Sequence, residues 1–425
     1  MSLEGAIISA GNPSGNVRPG DRRVSALIGH GVAVVDKIAL GDVKIVYSLK
    51  DAETNLGLTA AYDAANKVQV WYSIKEFYRN PNNKGVKLYL MLVAGTHALG
   101  VLTVPLADIF EDVGEVYAKK LLLAGQGEIY QLGGMMNPPT GYVGALLNGL
   151  DADVYAAIGM AQSLWDWADA REMRCNIILE GYGFNGTAAA AAALNALTSS
   201  RVTVCVGQDY DYAETLDVIG KKHAAVGTAL GSVAYSKISQ NIGDCEDTAL
   251  VISDTRGNFA TPGLSDHTKC KDRFDDLVVL DGKGYLFAYN MIGLNGARWN
   301  GDPVCAAAVE DNEGILSVAS ISDGRTLDEV RRRLRARMLP KVRTNQKLDP
   351  VTGKLSPTTV QSFNKLGDQV FDDLAAANEI SGGSTQVDPN SNLSVQPRIL
   401  TVGFSYVKIG QIDEVQGKVN IKTSL

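Results

Sequence analysis

The glycine-rich stretch at residues 181–186, which reads GYGFNG, is the segment of this sequence whose spacing most suggests chemistry. It is a literal G-x-G-x-x-G that follows a predicted strand and opens a predicted helix, and Asp209 or Asp211 comes after the next strand. In a dinucleotide site of this pattern, the glycines let the backbone approach a pyrophosphate and the acidic residue holds a ribose hydroxyl. One interpretation is therefore a nucleotide (NAD or FAD)-binding oxidoreductase that uses the loop from Gly181 to Gly186.

The context of this loop favours a structural role instead. In the fingerprint the acidic residue stands at the very end of the second strand, whereas Gly207 and Gln208 intervene before Asp209. A long helix predicted upstream indicates that the strand before the loop is not the first strand of the sheet. The sequence also holds no convergent Ser/His/Asp or Cys/His set that could use a cofactor. We expect a turn that packs a helix on the sheet, no cofactor and no enzymatic activity.

The cysteines and histidines predict neither a disulfide framework nor a metal site. The five cysteines are odd in number, lie far apart and form no C-x-x-C pair, and the four histidines are isolated. We expect reduced, mostly buried thiols and no bound metal. These residues are Cys175, Cys205, Cys245, Cys270 and Cys305, with His30, His97, His223 and His267.

The composition is that of a folded, mildly acidic protein. A length of 425 residues predicts two to four folding units, and 45% hydrophobic with 20% charged residues argues against disorder, collagen-like repeats and coiled coil. The formal charge of -7 offers no general attraction to nucleic acid or acidic membranes. Neither a secretory signal nor an apolar stretch of transmembrane length is visible, so we expect a cytosolic protein without membrane insertion.

Apolar spacing predicts the elements that position these residues. Strands are expected at 86–93, 176–179, 202–206 and 249–252, and helices at 154–168, 187–197 and 218–235. This βαβαβ order predicts a mainly parallel sheet with helices on its faces. The fold class is α/β (α+β overall): a parallel βαβ core, a C-terminal α+β domain and extended β arms at both ends. We divide the chain into an N-terminal arm at 1–35, an N-terminal α/β part at 36–135, a central βαβαβ domain at 136–300, a C-terminal α+β domain at 301–411 and an exchange strand at 412–425.

The C-terminal third carries a dense group of arginines. Residues 326–329 read T-x-x-E, a capping box that predicts a helix ended by Pro340. Nine basic residues between 325 and 347 are opposed only by Asp328 and Glu329. They form either a solvated helix face or a contact for an acidic partner, and a protein is favoured over nucleic acid because no aromatic residues are interleaved. A second helix is predicted from Ser356 to Gly382, then a polar linker at 381–396 and a strand at 400–406.

Both ends of the chain predict strands that need a partner. Residues 5–35 are rich in Gly, Ser and Pro with short apolar runs, which is typical of an extended arm. At the other end, Val419 and Ile421 alternate with polar residues, which predicts a strand. A lone strand has unpaired backbone groups on both sides, so each arm either folds back on its own subunit or adds to the sheet of a neighbouring copy.

From about residue 24 to its end, the sequence resembles the tail sheath proteins of contractile phages and prophages, and most of all a compact prophage sheath-like family. The resemblance lies in the order and coverage of several stretches, none of which is diagnostic alone. They are SLKDAE at 48–53, IKEFY at 74–78, ILEGYGF at 178–184, VTVCVGQD at 202–209, AAVGTALG at 224–231, IGD at 242–244 and the helix at 326–343.

The resemblance implies a structural subunit that polymerises helically around an inner tube, in stacked hexameric rings, and contracts to drive the tube through a target envelope. In sheath proteins the N-terminal arm and C-terminal strand add to sheets of neighbouring subunits, a C-terminal-domain helix faces the tube, and the glycine loop carries no nucleotide. Its expected exchange residues are Ala6, Ile7, Ile8, Ser9, Val415, Gln416, Lys418, Val419, Asn420 and Ile421, and its tube-facing residues are Arg331, Arg332, Arg335, Lys341 and Arg343.

The implied partners are copies of the same chain, the inner tube protein, and baseplate and terminator proteins, with no nucleic acid. The implied location is the bacterial cytoplasm during assembly and then the tail sheath of the virion. The sequence lacks the large insertions of bigger phage sheaths, so surface roles of those insertions do not transfer to it.

Overall fold

The computed structural model describes residues 21–95, 102–185, 187–254, 257–391, 393–394 and 396–417. The chain folds into two compact units, Met1–Thr344 and Asn345–Leu425. The domain boundaries predicted after residues 35 and 135 fall inside the first unit. Strands from both sides of each boundary join the main sheet of that unit. The boundary expected after residue 300 also falls inside it, since β-structure at Cys305–Ala306 pairs with Thr198–Ser199.

The first unit is built around a mainly parallel sheet, which confirms the predicted fold class. Within the described residues, six strands form this sheet in the spatial order β2 (Lys44–Val46), β3 (Leu88–Ala94), β1 (Ser25–Gly31), β4 (Gln131–Met135), β7 (Asn176–Glu180) and β9 (Val202–Cys205). Only β2 runs antiparallel to its neighbour. The strands of the unit are β1 Ser25–Gly31, β2 Lys44–Val46, β3 Leu88–Ala94, β4 Gln131–Met135, β5 Leu146–Leu147, β6 Leu150–Asp151, β7 Asn176–Glu180, β8 Thr198–Ser199, β9 Val202–Cys205, β10 Gly207–Asp209, β11 Pro262–Leu264, β12 Thr268–Lys269, β13 Ala288–Asn290, β14 Ala297–Trp299 and β15 Cys305–Ala306.

Helices cover both faces of this sheet. Alternate strand residues point to opposite faces, so Ile177 and Leu179 enter one hydrophobic core while Ile178 enters the other. The first core includes side chains of α5 (Tyr117–Gly125), α6 (Ala152–Asp169) and α9 (Phe274–Asp281). The second core includes side chains of α3 (Val70–Phe77) and α8 (Val226–Tyr235). The helices of the unit are α1 Leu49–Asp51, α2 Ala60–Asn66, α3 Val70–Phe77, α4 Leu106–Ile109, α5 Tyr117–Gly125, α6 Ala152–Asp169, α7 Tyr210–Glu214, α8 Val226–Tyr235, α9 Phe274–Asp281 and α10 Ile321–Met338.

The prediction of an extended N-terminal arm over residues 1–35 is wrong for residues 25–31, which form strand β1. Ser25–Gly31 is buried along its whole length and pairs with β3 on one side and β4 on the other. The glycines that suggested an extended arm serve close packing here: a Cβ at Gly29 would lie 2.5 Å from the Cβ of Met135.

Two predicted elements of the central region are also wrong. The alanine-rich stretch at 187–197 forms turns and a short 3₁₀ helix, Leu194–Ala196, because its carbonyls converge on one ammonium group. Lys283 Nζ donates to the carbonyls of Ala188, Ala189 and Ala191 at 2.8, 2.8 and 2.6 Å. Residues 249–252 are not a strand, and the outer edge of β9 instead meets Leu286.

The helix boundaries differ from prediction at two places. The helix expected at 218–235 begins only at Val226 as α8. Helix α10 begins at Ile321, and Ser320 caps it, with Oγ accepting the amide of Asp323 at 3.0 Å. The prediction that Thr326 caps this helix is therefore wrong. Thr326 lies in the helix interior and is buried. The helix therefore starts about a turn and a half earlier than its sequence signal.

The second unit consists of one helix and a hairpin within the described residues. Helix α11 spans Pro357–Ala376, and Ser356 caps it as predicted, with Oγ accepting the amide of Thr359 at 3.3 Å. Strands β16 Gly382–Val387 and β17 Val402–Val407 are antiparallel. The strand predicted near 400–406 is thus confirmed, whereas the polar linker predicted at 381–396 is wrong for the residues of β16.

No helix in the described part of the chain is long and apolar enough to cross a bilayer.

Candidate assembly surfaces

The glycine loop after β7 is filled by the protein's own chain. Ser265 Oγ donates to the carbonyl of Gly181 at 2.5 Å and accepts the amide of Phe184 at 3.2 Å. The side chains of Tyr182 and Phe184 are buried. Residues 187–193 of the described chain form no helix, so the loop does not lead directly into a helix as the dinucleotide fingerprint requires.

The acidic residue expected to hold a ribose has another role. Asp209 is buried, and its carboxylate accepts the amides of Phe259 and Tyr212 at 3.0 and 3.4 Å, which caps helix α7. With the loop filled and this carboxylate engaged, the oxidoreductase interpretation has no support in the geometry.

The histidines are structural where the chain is described. His30 and His223 are fully buried, and their burial lowers the pKa of each to about 4. His30 Nε2 lies 2.7 Å from the carbonyl of Val104, and His223 Nδ1 lies 2.9 Å from that of Gly220. Among the residues that the structure describes, no three His, Cys, Asp or Glu side chains are grouped to hold a metal ion.

Helix α10 lies along the edge of the sheet where the parallel strands begin. Glu329 binds Arg22, three residues ahead of β1, at 3.0 Å. The guanidinium of Arg332 stacks 3.9 Å from the ring of Tyr130, which directly precedes β4. Asp328 pairs with Arg201, which directly precedes β9, at 3.0 Å.

The same helix contacts the segment that leads into β7. Arg332 also donates to the carbonyl of Arg174, two residues ahead of β7. Arg174 is fully buried and binds Glu172 through two nitrogens at 2.6 and 2.7 Å. Both Arg174 and Arg331 pair with Asp169, the last residue of α6. The helix is thus anchored to the starts of four adjacent strands.

These contacts change the interpretation of the predicted tube-facing residues. Arg331 and Arg332 bind groups of their own unit, and Arg335 is only 6% exposed. Lys341 and Arg343, beyond the end of the helix, are exposed. Of the five predicted tube-facing residues, Lys341 and Arg343 are thus the most exposed, and the tube contact stays a prediction. The sequence analysis did not identify the groups that the arginines of α10 contact. Arg174 and Arg201 each lie within two residues of a predicted strand, and charged residues at such positions could have indicated contacts at the strand ends.

The hairpin of the second unit has a covered edge and a less covered one. Helix α11 contacts β16, where Asp368 and Asn364 accept the amides of Thr385 and Val387 at 2.8 and 2.9 Å. On β17, the side chains that face the same side as Thr385 and Val387 are only half-buried. These are Val402, Phe404 and Tyr406.

The predicted exchange residues are partly described. Val415 is 84% exposed, and Gln416 is exposed beside it. The other predicted exchange residues lie outside the described residues: Ala6, Ile7, Ile8, Ser9, Lys418, Val419, Asn420 and Ile421.

Comparisons with known proteins give one family and one fold. The model of the DUF2586 N-terminal domain matches residues 12–301. No curated protein sequence matches the chain. The fold is similar to that of a chain in the contracted helical sheath of the anti-feeding prophage (AFP), with a TM-score of 0.59 and 12% identity over 99% of both chains.

Two further solved structures share this fold. A chain of the six-fold symmetrised AFP baseplate has a TM-score of 0.59 and 12% identity over 100% of both chains. A chain of the contracted PVC sheath complex, from an extracellular contractile injection system, has a TM-score of 0.57 and 10% identity, covering 100% of this chain and 98% of that one.

Proposed function

We propose that this chain, which belongs to the DUF2586 family, is the structural subunit of a contractile sheath that polymerises helically around an inner tube. The observation that carries the proposal is the full-length likeness to chains of two contracted sheaths, which covers at least 98% of every chain compared. The filled glycine loop supports the same conclusion, because it removes the evidence for a nucleotide enzyme.

The proposed partners follow from this function. Copies of the chain form stacked hexameric rings, for which the six-fold AFP baseplate assembly is the supporting precedent. The inner tube protein, baseplate proteins and a terminator protein complete the particle. The chain is made in the bacterial cytoplasm and ends in the sheath of the assembled tail or injection device.

The proposed link between copies is strand exchange through the hairpin of the second unit. Helix α11 packs on β16 while the apolar side chains of β17 stay half-buried, so a further strand beside β17 would bury more of this face. The C-terminal segment alternates Val415, Val419 and Ile421 with polar residues, as a strand with one apolar face requires. Added beside β17, it would extend the half-buried apolar face of that strand. Contacts of this head-to-tail kind that do not close generate helical filaments.

The proposed tube contact is the exposed basic segment after α10, which includes Lys341 and Arg343. Its charge favours an acidic tube surface, and exposed charges act mainly on the rate and specificity of association. Arg331 and Arg332 already bind groups of the first unit and Arg335 is buried, so we assign the three residues mainly to holding the helix in place.

Deletion of residues 412–425 tests the proposal most simply. The truncated chain should stay folded and monomeric, because residues 412–417 are exposed and the rest of the deletion removes only the proposed exchange strand. Size-exclusion chromatography and electron microscopy would measure this. A finer variant pairs Val419→Asp with Ile421→Asp, which should abolish polymers. The matched control, Lys418→Ala with Asn420→Ala, alters the other face of the strand and should polymerise. Normal tubes from the truncated chain would contradict strand exchange.

A further inference from the structure

The two strands of the hairpin in the second unit present different outer edges. Strand β16 pairs with β17 from Gly382↔Val407 to Val387↔Val402. In an antiparallel pair, successive residues direct their backbone groups alternately toward and away from the partner strand. The amides of Thr385 and Val387 bind side chains of α11, so they belong to the outward-directed set. On this edge, two consecutive outward amides are already occupied.

Helix α11 packs directly on β16 around these two hydrogen bonds. Asn364 and Asp368 lie one turn apart on the helix and reach the two amides at 2.9 and 2.8 Å. Between them, Gly367 packs so closely on Thr385 that a Cβ would lie 2.9 Å from the Cβ of Thr385. Phe371, in the next turn, is buried against the same strand. The helix therefore lies over β16 at close range.

Strand β17 lacks this cover. Its side chains Val402, Phe404 and Tyr406 share the face of Thr385 and Val387, yet they remain half-buried while those two are buried. Within the described residues, the sheet has two strands, and the partner of β17 is β16 alone. The apolar face therefore extends from β16 onto β17, where its side chains are less buried.

We propose that Asn364 and Asp368 close the edge of β16 and thereby direct the exchanged strand to β17. This inference rests on the proposed sheath function and assigns two specificity-determining residues to its strand exchange. A strand added at β16 would have to displace two side-chain hydrogen bonds, one of them to a carboxylate, and such charge-assisted bonds are the stronger kind. Occupied edge amides are a general protection against unwanted strand addition. Restricting addition to the β17 side fixes where an exchanged strand can join the hairpin.

The test uses the full-length chain with both side chains truncated, Asn364→Ala with Asp368→Ala. The matched control is Gln361→Ala with Lys365→Ala, which changes exposed residues of the same helix. Hydrogen exchange should be at least ~10-fold faster at the amides of Thr385 and Val387 in the test variant only. Polymers of each variant are then incubated with a synthetic peptide of residues 412–425. Wild-type and control polymers should take up no peptide, whereas the test variant should bind about one per chain at β16.

Conservative variants keep the inference testable if the double variant does not fold. Asp368→Asn retains an acceptor and should behave as wild type, while Asn364→Ala alone should expose only the amide of Val387. Polymers of the double variant that take up no peptide and exchange Thr385 and Val387 at the wild-type rate would overturn the inference alone. A wild-type chain that never polymerises would refute the proposed function, and the inference with it.

Discussion

The strand ends of the main sheet beside α10 and the hairpin of the second unit differ in how their interacting groups are satisfied. At the sheet edge, charged side chains far apart in sequence neutralise one another within one chain, as Asp328 and Arg201 do. At the hairpin, α11 covers one strand and leaves the next with a half-buried apolar face. The comparison teaches that a cluster of arginines can stabilise its own subunit. An incompletely covered strand is the better indication of a surface that binds another chain.

The largest expected effect comes from removing a buried charge at the sheet edge. Arg174→Met should lower the free energy of unfolding by about 3–5 kcal/mol, because it leaves the buried carboxylate of Glu172 without its partner. Chemical denaturation of the monomer measures this. The matched control is Arg171→Met, since Arg171 is exposed and three residues away. A loss no larger than that of the control would mean that the paired charges do not hold this edge.

Acid should affect the two units differently. All four histidines belong to the first unit, and burial lowers the pKa of His30 and His223 to about 4. An unfolded histidine takes up its proton near pH 6.5, whereas a buried one stays neutral down to about pH 4. Each buried histidine therefore lowers the free energy of unfolding by up to about 3 kcal/mol as the pH falls from about 6.5 to 4. The sequence of the second unit contains no histidine.

Comparison of variants isolates this effect from opposing groups. Burial raises the pKa of Glu180 to about 8 and those of Asp63 and Asp302 to about 7, which favours the folded state as pH falls. The slope of unfolding free energy against pH between 6.5 and 4 should therefore be compared between wild type and His223→Gln. The variant should take up nearly one proton fewer on unfolding. His267→Gln, at a half-buried imidazole, is the control for loss of a ring, and an unchanged slope in His223→Gln would contradict the account.

Charge reversal along α10 sharpens the comparison further. Changing Arg331, Arg332 and Arg335 together to Glu should cost about 2–3 kcal/mol of stability, because like charges then face Asp169 and Arg332 loses its stacking on Tyr130. Lys341→Glu with Arg343→Glu should change stability by less than about 0.5 kcal/mol, since both residues are exposed. Only the second variant should assemble normally without tube and fail to cosediment with it. Unchanged cosedimentation would move the tube contact elsewhere.

The parts of the fold that sequence reasoning found were those with a strong local signal. Strands β3, β7 and β9 are continuous apolar runs, and α6 and α11 have regular apolar stripes. Strand β1 was missed because its glycines and histidine read as irregular chain, although tertiary packing buries all seven residues. The alanine-rich stretch was misjudged because helix propensity is weak beside three carbonyls that bind Lys283.

The candidate surfaces were harder to predict for a related reason. A count of arginines near residue 335 carries no information about Asp169 or Tyr130, which lie more than 150 residues earlier in the chain. The roles of Asn364 and Asp368 depend on a strand register that no local pattern fixes. The resemblance of ordered stretches to sheath proteins predicted the fold correctly, because it used the order of segments along nearly the whole chain.

High-resolution electron microscopy of the assembled full-length chain tests the central claim most directly. The account predicts hollow helical tubes in which residues 415–421 of one copy lie along β17 of a neighbour, with the β16 edge still bound to α11. A protein that stays monomeric under assembly conditions, or tubes in which these residues pair within their own copy, would contradict it.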